Sequence, residues 1–158
     1  MIENRQDVSK LPDQLNSSIK TALRTARVGH LATVDPEGMP HVVPICFVVN
    51  SNAIFSPVDE KPKQSSPQQL GRIRNIRKHP DSTLVVDHYQ ENWQHLFWIQ
   101  IRGSASIQSP DSENHTRIIS NLRDKYAQYE EHGLESRPLI KLSVEDVISW
   151  GTIEPERL

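Results

Sequence analysis

A chain of 158 residues with net charge -2 and 35% hydrophobic content can form one domain with a real core, but it does not suit binding polyanions over its whole surface. Its mean hydropathy of -0.58 is polar for a globular monomer and points toward a core completed by a second copy. Cys46 is the single cysteine, the start MIENRQDVSKL lacks an apolar signal core, and no apolar run approaches the ~18 residues of a membrane span, so a cytoplasmic protein without disulfide, signal peptide or membrane helix is expected.

Residues 12–27 read as a first helix, because Leu15, Ile19, Ala22, Leu23 and Ala26 recur on one face of a 3.6-residue period. Gly29 is read as part of its C-terminal stop. A strand over Val28 to Val34 is followed by the turn Asp35-Pro36-Glu37-Gly38, with proline second and glycine fourth. Met39 to Val49 reads as one long strand. Pro44 within it cannot donate to a ladder, so this strand is an edge, bulged, or pressed against a ligand. Asn50-Ser51-Asn52 turns the chain into a third strand, Ala53 to Ser56.

Next comes a polar loop, Asp59 to Pro67, with Lys61 and Lys63 on either side of a proline. Ser66-Pro67-Gln68-Gln69 has the form of a capping box with proline at the first helical position. The helix it opens has the apolar stripe Leu70, Ile73 and Ile76, and carries Arg72, Arg74, Arg77 and Lys78 before Pro80 stops it. Ser82 to His88 is a fourth strand and Tyr89 to His95 a polar connection. From Leu96 to Gln108 the period is two: Phe97, Ile99, Ile101, Gly103, Ala105 and Ile107 share one face, while a mostly polar face includes Trp98. A third helix runs from Ser109-Pro110-Asp111 to about Glu131 with Ile118, Ile119, Leu122, Tyr126 and Tyr129 as its apolar positions, and Pro138 to Trp150 supplies one or two last strands.

The order predicts a mainly β, α+β domain: six antiparallel strands in a small closed barrel with helices at its rim, spanning residues 1–158 with 1–11 as a flexible arm. A strand end, a lysine loop and a basic helix in succession suit a phosphorylated ligand. Arg74, Arg77 and Lys78 read more simply as a solvated face, and Arg72, nearer the helix start, is the better anion contact. HExxH and Cys/His clusters are absent from the sequence, so a metal hydrolase is not expected. The short basic helix and negative net charge argue against nucleic acid.

The phrases RVGHLATVDPEGMPHVVPICFV, IFSPVDEKPK, LGRIRNIRKHPDSTLVVDHY and LFWIQIRGSASI resemble the pyridoxamine 5'-phosphate oxidase-like proteins. Within them the chain is most similar to the branch dependent on the deazaflavin F420, over residues 25–107 and 148–150. The resemblance implies a split β-barrel of the FMN-binding type and a homodimer with two cofactor sites between subunits. It implies that Val43, Pro44 and Ile45 border the cofactor ring, that Ser56, Pro57 and Val58 lie beside it, and that Lys61 and Lys63 neutralise its phosphate. Arg72 and Asn75 would approach the same tail, and Trp98 would approach the ring from the partner subunit, a role compatible with plain interface packing.

The activity so implied is hydride transfer from reduced F420 to a small planar organic acceptor. Its alternatives are an FMN-binding relative of pyridoxamine phosphate oxidase and a non-catalytic flavin or haem carrier. A catalytic side chain is not required, since the cofactor carries the reaction. Asp87, His88 and Tyr89 read as a polar strand end rather than as acid or base. The C-terminal Arg-x-His pattern and the arginine-rich flavin motif of pyridoxamine phosphate oxidase itself are absent, so oxidation of vitamin B6 is not expected.

Overall fold

The structure is a computed structural model that describes residues 15–58 and 71–153. The N-terminal arm, the lysine loop and the capping box at residues 66–69 lie outside the described residues.

The described residues form three α-helices and seven strands in one antiparallel sheet. Helix α1 is Ser17–Thr25, followed by strands β1 (Gly29–Val34), β2 (Pro40–Ile45), β3 (Val48–Asn50) and β4 (Ala53–Pro57). Helix α2 is Gly71–Lys78, strand β5 Asp81–His88, strand β6 Phe97–Gln108, helix α3 His115–Lys125 and strand β7 Leu139–Gly151. The spatial order is β2-β1-β5-β6-β7-β4-β3.

The expected single strand Met39 to Val49 is two strands. It bends at Cys46–Phe47, and its halves β2 and β3 lie on opposite edges of the sheet. Two residues cannot span a flat seven-stranded sheet, whose edges would stand roughly 28 Å apart at ~4.7 Å per strand. The sheet must therefore curl until its edges come near each other at that bend, which gives it the form of an open half-barrel.

Alternation places side chains on two surfaces. Leu31, Leu84, Val86, Ile99, Ile101, Leu142 and Val144 fill the interior with Ile19 and Leu23 of α1 and Ile73 and Ile76 of α2. A second cluster forms outside, where Ile118, Ile119 and Leu122 of α3 cover Val48, Ala53, Phe55 and Leu139. Strand β4 is consequently buried on both faces. The long third helix is interrupted: α3 ends at Lys125, Tyr126 is extended, and a short 3-10 turn spans Ala127–Glu131.

Local chemistry explains the turns. The Asp35 carboxylate accepts the N–H groups of Glu37 and Met39 at 3.0 and 2.8 Å, which closes the β1–β2 hairpin. The Met39 N–H holds that carboxyl below its usual range. Asn16 caps α1 by accepting the Ile19 N–H at 2.9 Å. Gly29 does not stop α1. It opens β1, where a Cβ would come within 2.8 Å of Leu84 Cδ1 and 3.2 Å of the Phe47 ring.

At the bend, α3 fastens the closure. The Lys125 ammonium donates to the carbonyls of Phe47 and Leu23, both at 3.0 Å, and lies 4.1 Å from the Phe47 ring centroid. The Tyr126 hydroxyl accepts the Phe47 N–H at 3.0 Å and shares its own proton between the carbonyls of Arg27 and Phe47, at 3.0 and 3.1 Å. The Arg27 guanidinium lies 4.5 Å over the Tyr126 ring and donates to the Lys125 carbonyl.

Candidate functional site

The anticipated site residues fall into separate groups. Val43 and Ile45 point into the barrel, half-buried and buried respectively, while Pro44 lies exposed on the outer face. Strand β2 pairs with β1 along one side alone, so its other edge has no strand partner among the described residues. Of the three readings for Pro44, the edge strand is what the fold shows.

Ser56, Pro57 and Val58 are all buried at the end of β4. Val58 belongs to the interior cluster, and its N–H donates to the Pro138 carbonyl at 3.2 Å. Trp98 faces outward, half-buried, opposite Asp87 on β5 and Trp150 on β7. Pro44 and Trp98 share the outer face, but three strand spacings separate β2 from β6, roughly 14 Å along the sheet. Within one chain they do not converge on one ring. Lys61 and Lys63 lie outside the described residues.

Helix α2 shows the clearest unmet chemistry. Arg72, Asn75 and His79 recur at intervals of three and four and so share one flank. The His79 N–H donates to the Asn75 carbonyl at 2.7 Å, which carries the helical turn through His79. Asn75 is 2% exposed, and its amide nitrogen donates to the Thr33 hydroxyl on β1 at 3.1 Å. Four buried side-chain atoms lack a hydrogen-bond partner among the described residues, and three of them are Arg72 Nε, Asn75 Oδ1 and His79 Nε2. A buried polar atom left unmatched is destabilising, on the order of 1–3 kcal/mol. Three of these atoms belong to one flank of α2. Arg74 is exposed and stands about 200° round the helix from Arg72, so it does not join that flank.

Sequence reasoning singles out Arg72 and Asn75 on this flank and does not single out Thr33 or His79. The spacing from Arg72 through Asn75 to His79 was the available signal for His79. Nothing in the sequence links Thr33 to α2, because that contact spans 42 positions.

A cleft of about 290 Å³ lies elsewhere, against α3, lined by His115, Ser120, Arg123, Asp124, Glu130 and Glu135 among others. Its cation is already engaged: Arg123 donates to the Glu135 carboxylate at 2.6 Å and to the carbonyls of Tyr129 and His132 at 3.1 and 3.0 Å. None of the anticipated residues lines it. Among the described residues there is no group of three or more His, Cys, Asp or Glu side chains that could hold a metal ion, and no helix long and apolar enough to cross a membrane.

Beyond α3 much of the outer face is left uncovered by the described residues. Val42 and Trp150 are 62% and 54% exposed, and Ala32, Val85, Trp98 and Ile148 are half-buried on the same surface. The pairs His30–Asp87 and Arg102–Asp146, each at 3.8 Å, lie among them.

Comparison with known proteins follows this geometry. A family model described as pyridoxamine 5'-phosphate oxidase matches residues 15–151. No curated protein gives a match. Among solved structures, HutZ, the haem storage protein from Vibrio cholerae, superposes with a TM-score of 0.67 at 20% identity, over 85% of this chain and 94% of its own. A conserved hypothetical protein from Mycobacterium tuberculosis gives 0.72 at 16% identity, over 98% and 93%. General stress protein 26 from Bacillus anthracis gives 0.58 at 20%, over 84% and 90%. At these identities the likeness is one of fold.

Proposed function

Since the chain belongs to the pyridoxamine 5'-phosphate oxidase family, we propose that it binds a flavin-type redox cofactor and passes hydride to a small planar organic acceptor. The observation that carries this reading is the buried, unmatched flank Arg72–Asn75–His79 within the matched span. Its unmatched donor and acceptor fit the tail of such a cofactor, and Arg72 adds a positive charge for its phosphate. The cofactor would supply the hydride chemistry when bound. This chain's residues would anchor its tail and keep the ring on the outer face of β2, and Trp98 of the partner subunit would exclude water there.

F420 is the cofactor that the sequence resemblance favours, with FMN as its alternative. Arg74 stands away from the flank, which leaves Arg72 together with Lys61 and Lys63 as the cations for the cofactor tail. Parallel titration with FMN and F420, followed by absorbance, separates the two. Haem belongs in the same experiment because a structural neighbour is a haem storage protein. A Soret shift with no flavin or deazaflavin binding would replace this reading with carriage of haem. Changing Lys61 and Lys63 together to alanine is expected to weaken cofactor binding at least tenfold, about 1.4 kcal/mol. Unchanged affinity would remove both lysines from the site.

The outer face left uncovered by the described residues fits a second copy of the chain. Its apolar residues with polar pairs among them have the form of an interface, and a partner bringing Trp98 toward Pro44 would close the gap that separates them in one chain. Light scattering should give a dimer at micromolar concentration. Val42→Asp, which sets an unpaired carboxylate in that face, should give a monomer with weakened cofactor binding. A wild-type monomer would defeat the shared-site arrangement.

A further inference from the structure

We propose that His30 makes assembly of the dimer pH-dependent: its proton neutralises Asp87 when two outer faces meet, so the dimer tightens as pH falls through the histidine range. The inference rests on the face-to-face dimer proposed above and is independent of which cofactor binds.

Strand register sets both groups among apolar neighbours on that face. His30 lies opposite Pro44 on β2 and Val85 on β5, while Asp87 lies opposite Trp98, with Trp150 next on β7. His30 Nδ1 and Asp87 Oδ1 stand 3.8 Å apart, with side chains 48% and 55% exposed. In a single chain water solvates both. A second copy laid over the face removes that water, and a carboxylate left unpaired there is costly. The other charges do not relieve Asp87. Beside His30, β1 and β2 present Ala32, Val42 and Pro44, which do not titrate. Strand β6 brings Arg102, whose guanidinium faces Asp146 of β7 at 3.8 Å and donates to Gln100 at 3.0 Å. Strand β5 adds a further acid, Asp81, at its exposed start. Lys141 lies farther along β7, opposite Phe55, in the part that α3 covers. A symmetric dimer presents the same patch from both copies, so acidic excess meets acidic excess. One proton on each His30 reduces that repulsion and pairs Asp87 as its water leaves. Forming the dimer then takes up protons. It is favoured below the ordinary histidine range, about 6.5, and loses that support as pH rises through it. The gain also needs an ionised Asp87, so it ends in the carboxylate range, about 4.

The test is sedimentation equilibrium of the full chain between about pH 5.5 and 7.5, with fluorescence detection to reach concentrations at which the dimer dissociates. The wild-type Kd is expected to rise at least tenfold across that range, with a slope bounded by two protons per dimer, about two decades per pH unit. Asp87→Asn should lose the slope and stay near the tight wild-type level of pH 5.5. His30→Gln should also lose it, but at the weak level of pH 7.5. His41→Gln removes the imidazole that faces Asp35 at 3.2 Å and should keep the wild-type slope. Dilution calorimetry of the wild type in two buffers of different ionisation enthalpy should count protons released as the dimer dissociates.

A dimer whose Kd is flat over this range would overturn the proposal and leave the dimer standing. A slope that survives Asp87→Asn or His30→Gln, or vanishes in His41→Gln, would overturn it as well. If a variant does not fold, the wild-type calorimetry decides, and dissociation without proton release overturns the proposal. A monomer at every pH would reject the dimer itself and this inference with it.

Discussion

Gly103→Ala is expected to destabilise the protein by about 4 kcal/mol or more, enough to leave much of it unfolded at moderate temperature. Strands β6 and β7 shift register between Arg102 and Gly103: Arg102 faces Asp146, whereas Gly103 faces Val144. The extra residue bends β7 toward its neighbour, and a Cβ on Gly103 would lie 1.8 Å from the Ser143 carbonyl oxygen and 2.9 Å from its carbon. Those are backbone atoms in the longest strand pair of the sheet, so no rotamer change relieves the overlap. Urea denaturation followed by circular dichroism measures the loss. A difference under ~1 kcal/mol would show that the bulge can migrate or relax.

The second large effect belongs to the clamp on the bend. Tyr126→Phe should cost about 1–3 kcal/mol, because it strips the Phe47 N–H of its acceptor in a buried place. The alkaline behaviour gives this prediction a signature. Burial pushes the Tyr126 phenol up to about 12, above its ordinary 10.0. A raised pKa means stability that is present below pH 10 and lost as pH climbs toward 12. Lys125 moves the other way: burial, helped by the neighbouring Arg27 charge, lowers it to about 8 from 10.5. Between those values the unfolded chain binds more protons than the folded one, so the Lys125 contribution to stability rises with pH. The wild type should therefore gain on Lys125→Met from pH 8 to 10.5, and should lose ground to Tyr126→Phe above pH 10. Parallel pH–stability curves for all three proteins would show that neither group titrates in the clamp.

Much of the fold was legible because it depends on period. The alternation of Phe97, Ile99, Ile101 and Ala105 against Arg102 and Ser106 is what β6 shows, since a strand at a solvent-facing surface forces polarity to alternate. The stripe Leu15, Ile19, Ala22 and Leu23 packs into the barrel as its spacing requires. The long strand through Pro44 was misjudged for a reason period cannot reveal. HVVPICFVV reads as continuous β, and only the meeting of two sheet edges places a bend at Cys46–Phe47. Gly103 likewise joins the inward alternation, yet its need for hydrogen in place of a methyl comes from the backbone of β7, forty positions on.

The candidate site divides in the same way. Arg72 and Asn75 were visible as polar residues on a short amphipathic helix. Their unmatched atoms were not, because hydrogen-bond satisfaction depends on neighbours such as Thr33 that are remote in the chain. Arg74, two residues from Arg72, reads as part of a solvated face, and it is exposed, turned from the flank by the helical twist.

Local patterning by itself determined which segments become helix or strand, and which face of each turns inward, since these follow from the repeat of apolar side chains along a few turns or a few pleats. The tertiary structure alone decided that the sheet curls, that Lys125 and Tyr126 lock the bend, and that Arg72, Asn75 and His79 carry buried atoms with bonds unmade on one flank of α2. These are contacts between residues brought together by chain crossings, and a burial or a missing partner exists only once the surrounding elements are in place.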